Sequence, residues 1–301
     1  MHTPILFLIF NRPETTRSVF AAIRLARPTR LYVAADGPRH ENANDAENCA
    51  RAREIATDVD WPCEVTTLFR EQNLGCGVAV AEAITWFFDH EPEGIILEDD
   101  CVPNPSFFLF TSELLERYRH DERVAVIGGN CFLKTPPRQN ESYFFSRFNH
   151  VWGWASWRRA WNLFDFSMKD WPKIRDNNLL SGYLTSKSAT NYWRRHFQLT
   201  YEHRIDTWDY RWTFSCWREG MVSVLPRVNL VKNIGFGNDG THTTVSPISE
   251  YRESELTFPL NHPTIRMVDS NADRLVHNRL FSFRARAVKR FLHLFHSGKQ
   301  I

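Results

Sequence analysis

The sequence predicts an α/β fold, a mostly parallel central sheet with helices on both faces, and three observations carry that expectation. Short continuous apolar runs such as Ile5-Leu6-Phe7-Leu8-Ile9-Phe10 have the signature of strands buried on both faces. These runs alternate with longer stretches of helical spacing, and parallel strands need such crossover helices to join them. The 301 residues are 43% hydrophobic and 24% charged, too apolar for disorder and long enough for one large α/β domain or two small ones.

In chain order, residues 4–10 form the first strand. A helix over 14–25 follows, with Val19, Phe20, Ile23 and Leu25 at helical spacing. Residues 31–35 are a second strand, stopped by Asp36-Gly37-Pro38. A polar, Ala-rich surface helix covers 44–56, and 63–69 alternates as a third strand. A helix over 77–88 leads to a short buried strand, 94–97, which ends in Glu98-Asp99-Asp100. A helix over 105–118 and a strand over 123–127, closed by Gly128-Gly129, complete the regular part. The second half is less periodic. Residues 144–161 are aromatic-rich, 191–201 and 208–217 read as helices, 222–225 as a strand, and 235–240 as a Gly-rich loop. No repeat or linker divides the chain, so it reads as one continuous fold.

Composition narrows the function. Lys plus Arg number 37 and Asp plus Glu 35, a formal charge of +2, which argues against a nucleic-acid partner. No apolar run approaches the roughly 18 residues of a membrane-spanning helix. The start has no basic region or small-residue cleavage site, so no signal peptide is expected. The six Cys are scattered without metal-ligand spacing and read as reduced core thiols of a cytoplasmic protein.

In open parallel sheets, ligands bind beyond the carboxyl ends of the strands. That rule gathers Asn11, Arg12, Asp36, residues 70–73, Glu98 to Asp100, and Gly129-Asn130 at one edge. The triplet is the sharpest feature. Adjacent carboxylates repel, and partial burial raises their pKa values. A divalent cation relieves the conflict, Mg²⁺ or Mn²⁺ favouring oxygen ligands completed by substrate phosphates. A solvated acidic turn is the plain alternative.

A strand ending in Glu98-Asp99-Asp100, followed by Pro and a Phe-Phe helix, resembles the nucleotide-sugar glycosyltransferases of the Rossmann-like GT-A fold, most closely the N-acetylglucosaminyltransferase I type. Phe10-Asn11-Arg12-Pro13, Asp36, Gly153-Trp154 with Trp161, and Trp208-Asp209 fit in the same order, so the resemblance spans about residues 4–245. It departs at 208–212, which carries one carboxylate fewer, and in lacking the membrane anchor of the Golgi enzymes, which suggests a bacterial-type cytosolic relative.

The resemblance implies a donor half over 1–130, an acceptor and catalytic-base half over 131–265, and a basic tail over 266–301. It implies a metal-dependent, inverting transfer of sugar from a UDP-sugar, UDP-GlcNAc being the first candidate, to a hydroxyl of a surface glycan or lipid-linked acceptor. Asp100 would bind Mn²⁺ or Mg²⁺. Asp99 would hold ribose or the metal's water, and Glu98 would face the donor sugar. Asp209 would be the base, with Asp206 its nearest rival. Arg12, beside Asn11, would pair with phosphate or stack on the base. Asp36 would contact uracil, and Arg70 and Asn73 would line base and ribose. Lys232 and His242 flank a lid-like loop, the first as a phosphate contact and the second as a phosphate contact or further metal ligand. Of the 11 Trp, most are expected in the core, with Trp154 and Trp208 as a substrate wall.

Plainer readings stand beside these. Asp209 could cap the following helix, Asp36 could belong to a turn, Asn73 could cap its helix, and His242 could be a solvated loop residue. The tail over 279–301 is basic and amphipathic, suited to a membrane surface or to docking on the domain. A sugar nucleotidyltransferase is the rival enzyme, but the Gly-rich loop it needs after the first strand is missing. A non-catalytic carbohydrate-binding protein is the rival outside enzymes, and the presence of both Asp100 and Asp209 argues against it.

Overall fold

A computed structural model of the protein describes residues 1–133, 140–184, 186–235 and 253–282. The chain runs β1 (Ile5–Ile9), α1 (Pro13–Ala26), β2 (Arg30–Ala35), α2 (Asp45–Thr57), β3 (Glu64–Phe69), α3 (Gly75–His90), β4 (Glu93–Glu98), β5 (Cys101–Pro103), α4 (Pro105–Tyr118) and β6 (Val124–Gly128). It continues through β7 (Tyr143–Ser146), β8 (Trp154–Trp157), α5 (Arg158–Trp161), α6 (Trp171–Asp176), α7 (Leu180–Tyr183), α8 (Lys187–Tyr201), α9 (Asp209–Arg218), β9 (Val222–Pro226), β10 (Val231–Asn233) and α10 (Ser270–Leu280).

Eight strands form one sheet in the order β3-β2-β1-β4-β8-β6-β9-β7. β3, β2, β1 and β4 are parallel neighbours, and β6 and β9 run parallel to each other. β8 runs antiparallel between β4 and β6, and β7 antiparallel to β9. The six strands foreseen in the sequence are present. β7 and β8 were hidden in the aromatic stretch because each is only four residues long, too short for a run to stand out among the surrounding rings.

β1 shows how the sheet divides two cores. Ile5, Phe7 and Ile9 pack with α1, α2 and α4, while Leu6 and Leu8 join the face that carries α3, α8 and α9. Local chemistry sets the helix ends. Pro13 opens α1 at its first position, and Arg27 ends it in the left-handed conformation, φ 45°. Asn104 caps α4 by accepting from Phe107 N at 3.2 Å. Ser186 caps α8, accepting from Ala189 N at 3.2 Å, and Asp269 caps α10, accepting from Ala272 N at 2.9 Å.

Residues 253–282 cross the far side of the sheet as a strap. Ser254 N donates to Asn229 O (2.9 Å), Leu256 N to Ser106 Oγ (3.1 Å), Asn261 N to Ser142 Oγ (2.8 Å) and Asp269 N to Phe145 O (2.8 Å). The strap ends with Phe281 against Tyr192 and Trp193, ring centroids 5.0 and 5.2 Å apart. The first residues of the basic tail thus dock on α8, while residues 283–301 lie outside the described residues. Among the described residues no helix is long and apolar enough to cross a membrane. All six cysteines are free thiols.

Candidate active site

A cleft of about 670 Å³ opens at the carboxyl ends of β1, β2 and β4, with residues 205–210 at the start of α9 forming part of its wall. It gathers Arg12, Asp36, Arg70, Asn73, Glu98, Asp99, Asp100, Trp208 and Asp209 from the expected set. Asn11, Trp154 and Lys232 do not line it. His242 lies outside the described residues.

Glu98 is the last residue of β4, and Asp99 and Asp100 make the turn into β5. The Arg12 guanidinium, at the start of α1, donates to both Asp99 and Asp100, the latter at 3.0 Å. Asp99 also accepts from Phe10 N at 3.1 Å, and Asp100 from Asn233 Nδ2 at 3.3 Å. The Glu98 side chain makes no hydrogen bond or ion pair with another described residue. Burial, then the charges of Asp100 and Asp99, push the Glu98 carboxyl well above the usual range. Burial also raises Asp99, against the pull of Arg12. Burial works against the charge on Arg12, and Asp99 and Asp100 outweigh it, so its pKa rises.

Among the described residues no three His, Cys, Asp or Glu side chains form a metal cage. What the triplet offers a hard divalent cation is Asp100, with Glu98 and Asp99 behind it. Such a set suits an ion whose shell is completed by phosphate oxygens and water. Two features fit that group. Arg12 already stands in as the positive charge between Asp99 and Asp100. At Gly235, a Cβ would collide with the Asp100 carboxylate, so glycine keeps the approach to its oxygens open.

The end of the cleft beyond β2 is held by a clasp between two loops. Asp36 accepts from Gly37 N (2.9 Å), Leu74 N (3.0 Å), Gly75 N (3.1 Å) and Asn73 Nδ2 (3.0 Å). Asn73 also donates to Gly37 O at 2.8 Å, so it ties the loops together instead of capping α3, whose cap residue is Leu74. Gly37 is required because a Cβ there would strike the Gln72 backbone. Arg70 lines the cleft and pairs with Glu82 at 2.8 Å. Asn11 turns away from the cleft to donate to Asp45 at 2.7 Å. Asp45 in turn grips Arg39 at 2.6 Å, and Arg39 lines the cleft with its guanidinium 5.4 Å from the Phe10 ring centre. Asn11 therefore acts at one remove, through Arg39.

On the opposite wall, Asp209 is the first residue of α9. Its carboxylate accepts from Thr207 Oγ1 and from Tyr210 N (2.7 Å). It does not cap the helix; the cap position is Trp208. Asp209 is close enough to Glu98 to add to the repulsion on it. Asp206, its rival, is committed elsewhere. Its Oδ1 accepts from Gly77 N at 3.0 Å, and a Cβ on Gly75 or Gly77 would run into the Asp206 carboxylate.

No family model matches the chain, and no curated protein matches it. Among solved structures it is similar to HddC from Yersinia pseudotuberculosis, with 9% identity and a TM-score of 0.32 over 52% of this chain and 77% of that one. It is also similar to TarS 1–349 from S. aureus, with 8% identity and a TM-score of 0.41 over 77% of this chain and 59% of that one.

Two expected contacts are corrected by burial and strand alternation. Trp154 is fully buried inside β8 and stacks on Trp208, ring centroids 5.7 Å apart, so it backs the cleft wall without reaching the cleft. Lys232 is exposed on β10, and its neighbour Asn233 takes the inward position beside Asp100. The sequence reading missed Phe10, Arg39, Cys76, Trp152 and Asn233 as cleft residues. For Asn233 the sequence carried no signal, since β10 has only three residues. For Trp152 the sequence carried none either, because β8, just past it, was hidden among the surrounding tryptophans.

Proposed function

We propose that the protein is a nucleotide-sugar glycosyltransferase that moves a sugar from a UDP-sugar, UDP-GlcNAc first among candidates, to a hydroxyl of a glycan or lipid-linked acceptor. The observation that carries the reading is the single cleft in which the carboxylate triplet with its Arg12 faces Asp209 across the two halves of the fold. The arrangement separates two tasks that glycosyl transfer needs, charge balance at the leaving diphosphate and proton acceptance at the incoming hydroxyl.

On this reading Asp209 takes the acceptor proton as the hydroxyl oxygen bonds to the anomeric carbon. The carbon–oxygen bond to the diphosphate breaks, and UDP departs with the electron pair. Thr207 and the Tyr210 amide hold one Asp209 oxygen and leave the other for the hydroxyl. Attack from the side opposite the diphosphate makes the transfer inverting. Asp100 would hold Mn²⁺ or Mg²⁺, with Glu98 and Asp99 in support; when bound, the ion supplies positive charge for the diphosphate oxygens. Arg12 is then free to turn from Asp100 towards phosphate. The Asp36 clasp sets the width of the nucleotide end. A place at the cytoplasmic face of a membrane follows only if the acceptor is lipid-linked.

UDP release from a panel of UDP-sugars, with and without Mn²⁺, tests the proposal. Metal-dependent release that Asp100→Ala abolishes supports it. Failure to bind or turn over any UDP-sugar refutes it.

A further inference from the structure

We propose that Trp152 is the platform on which the donor's pyranose ring lies, beside the Glu98 that the family resemblance already turns towards the sugar. The inference rests on the nucleotide-sugar reading above and names the residue that would receive the sugar.

The β4–β8 ladder places the pair. Its register runs Glu93 opposite Trp157 through Ile96 opposite Trp154. Its next step sets Gly153 beside Leu97, the residue before Glu98, and there the left-handed Gly153 turns Trp152 out of the ladder towards the cleft. Packing agrees, since a Cβ on Gly153 would sit 3.3 Å from Leu97 Cδ2. Both Trp152 and Glu98 line the cleft.

Trp152 is held firmly in this place. Gly153 has φ 66°, and its carbonyl accepts from Gly129 N at 2.8 Å. The same glycine lies against Val231, two residues before the Asn233 that bonds Asp100. Phe132 meets the indole edge-on at 5.4 Å. Nine of the 11 tryptophans are buried, and Trp86 and Trp152 are half-buried. Of those two, Trp152 lines the cleft.

The chemistry matches a pyranose and not an extended polar chain. A pyranose ring has an apolar face of C–H bonds and a rim of hydroxyls. An indole face takes the first by dispersion and loss of water. Carboxyl groups take the second, and Glu98 carries oxygens that no described residue engages.

Calorimetric titration of the wild type, Trp152→Phe and Trp152→Ala with UDP, UDP-GlcNAc, UDP-glucose and UDP-galactose in Mn²⁺ tests the assignment. Trp152→Ala is expected to weaken the best-bound UDP-sugar roughly three- to tenfold, the range for one aromatic contact, and to leave UDP within twofold. Trp152→Phe falls between, and it keeps the test valid if the alanine variant unfolds. Equal losses for UDP and UDP-sugar, or no loss for either, overturn the assignment. A wild type that binds neither UDP nor any UDP-sugar overturns the nucleotide-sugar reading and this inference with it.

Discussion

Replacing Arg12 by methionine removes the cation that three carboxylates share while keeping the length of the side chain. The Arg12 side chain is 20% exposed, Asp99 3% and Asp100 15%, so the pairing is shielded from water. Breaking a pair of this kind costs roughly 3–5 kcal/mol, because the charge left behind is stranded. At about 2.1 cal/mol/K per residue, the unfolding entropy of a chain of this length converts that loss into a melting point lower by roughly 5–8 °C. The loss must depend on pH. Burial already raises Glu98 and Asp99, and without Arg12 they rise further. Protonation therefore spares the variant in acid, and its deficit should be largest near pH 8 and shrink towards pH 5. Thermal and urea unfolding of both proteins, followed by circular dichroism at the two pH values, measures this. Adding Asp99→Asn to the variant should recover part of the stability at pH 8. A variant as stable as the wild type at pH 8, or one with the same deficit at both pH values, refutes the account of Arg12 as the counter-charge.

Further expectations concern proton transfer, loop placement, cleft access and a buried imidazole. Asp209→Asn should bind UDP as the wild type does and lose at least a hundredfold in transfer rate, the usual scale for a general base; retained transfer would rule out the base assignment. Asp206→Ala strips the acceptor from Gly77 N at the start of α3 and should cost about 1–2 kcal/mol of stability, with Asp206→Asn recovering most of it because its side-chain oxygen still accepts. Equal melting curves for Asp206→Ala and the wild type would contradict that. Gly235→Ala pushes a methyl group into the Asp100 carboxylate, so Mn²⁺ dependence should weaken while UDP-independent stability holds, as metal titrations of both proteins would show. Burial holds His150 down at about 3, and its Nε2 has no hydrogen-bond partner among the described residues. The unfolded chain takes up that proton near pH 6.5, so the stability is whole above that pH and falls by up to about 1.4 kcal/mol per unit below it. Urea midpoints from pH 4 to 7 should show a shallower slope in His150→Phe; an unchanged slope would exclude His150 as the source.

The first half of the chain was legible because its signals are local and repeat. β1, β2 and β4 are short apolar runs, each followed by a helix, directly or after the short β5, and the polar residue after each run lands on one edge of the sheet. Position alone therefore found Arg12, Asp36 and the triplet. What position could not supply was partner choice. Asn11 and Arg12 are adjacent, yet one turns to Asp45 and the other to Asp99 and Asp100. The second half was harder because β7, β8 and β10 have only three or four residues each. With tryptophans at 152, 154, 157 and 161, sequence could not tell which ring would meet the cleft. The ladder decides: Trp154 lies within it and is covered, while Trp152 lies past its end. Lys232 and Asn233 show the same limit, since a strand of three residues is too short for its period to be read.

The strap also settles how the sheet ends. β3, at one edge, alternates exposed and half-buried residues and opens with Glu64, a charge that discourages another strand from joining. β7, at the other edge, is buried along its whole length and carries no such guard. Its protection comes from residues 253–282, where Val268 bridges Phe145 and the strap amides occupy neighbouring acceptors. Without that segment, Tyr143-Phe144-Phe145 would be an uncovered apolar ribbon with unpaired backbone groups, the template on which chains stack into aggregates. The strap thus keeps the molecules apart from one another, a service distinct from anything at the cleft.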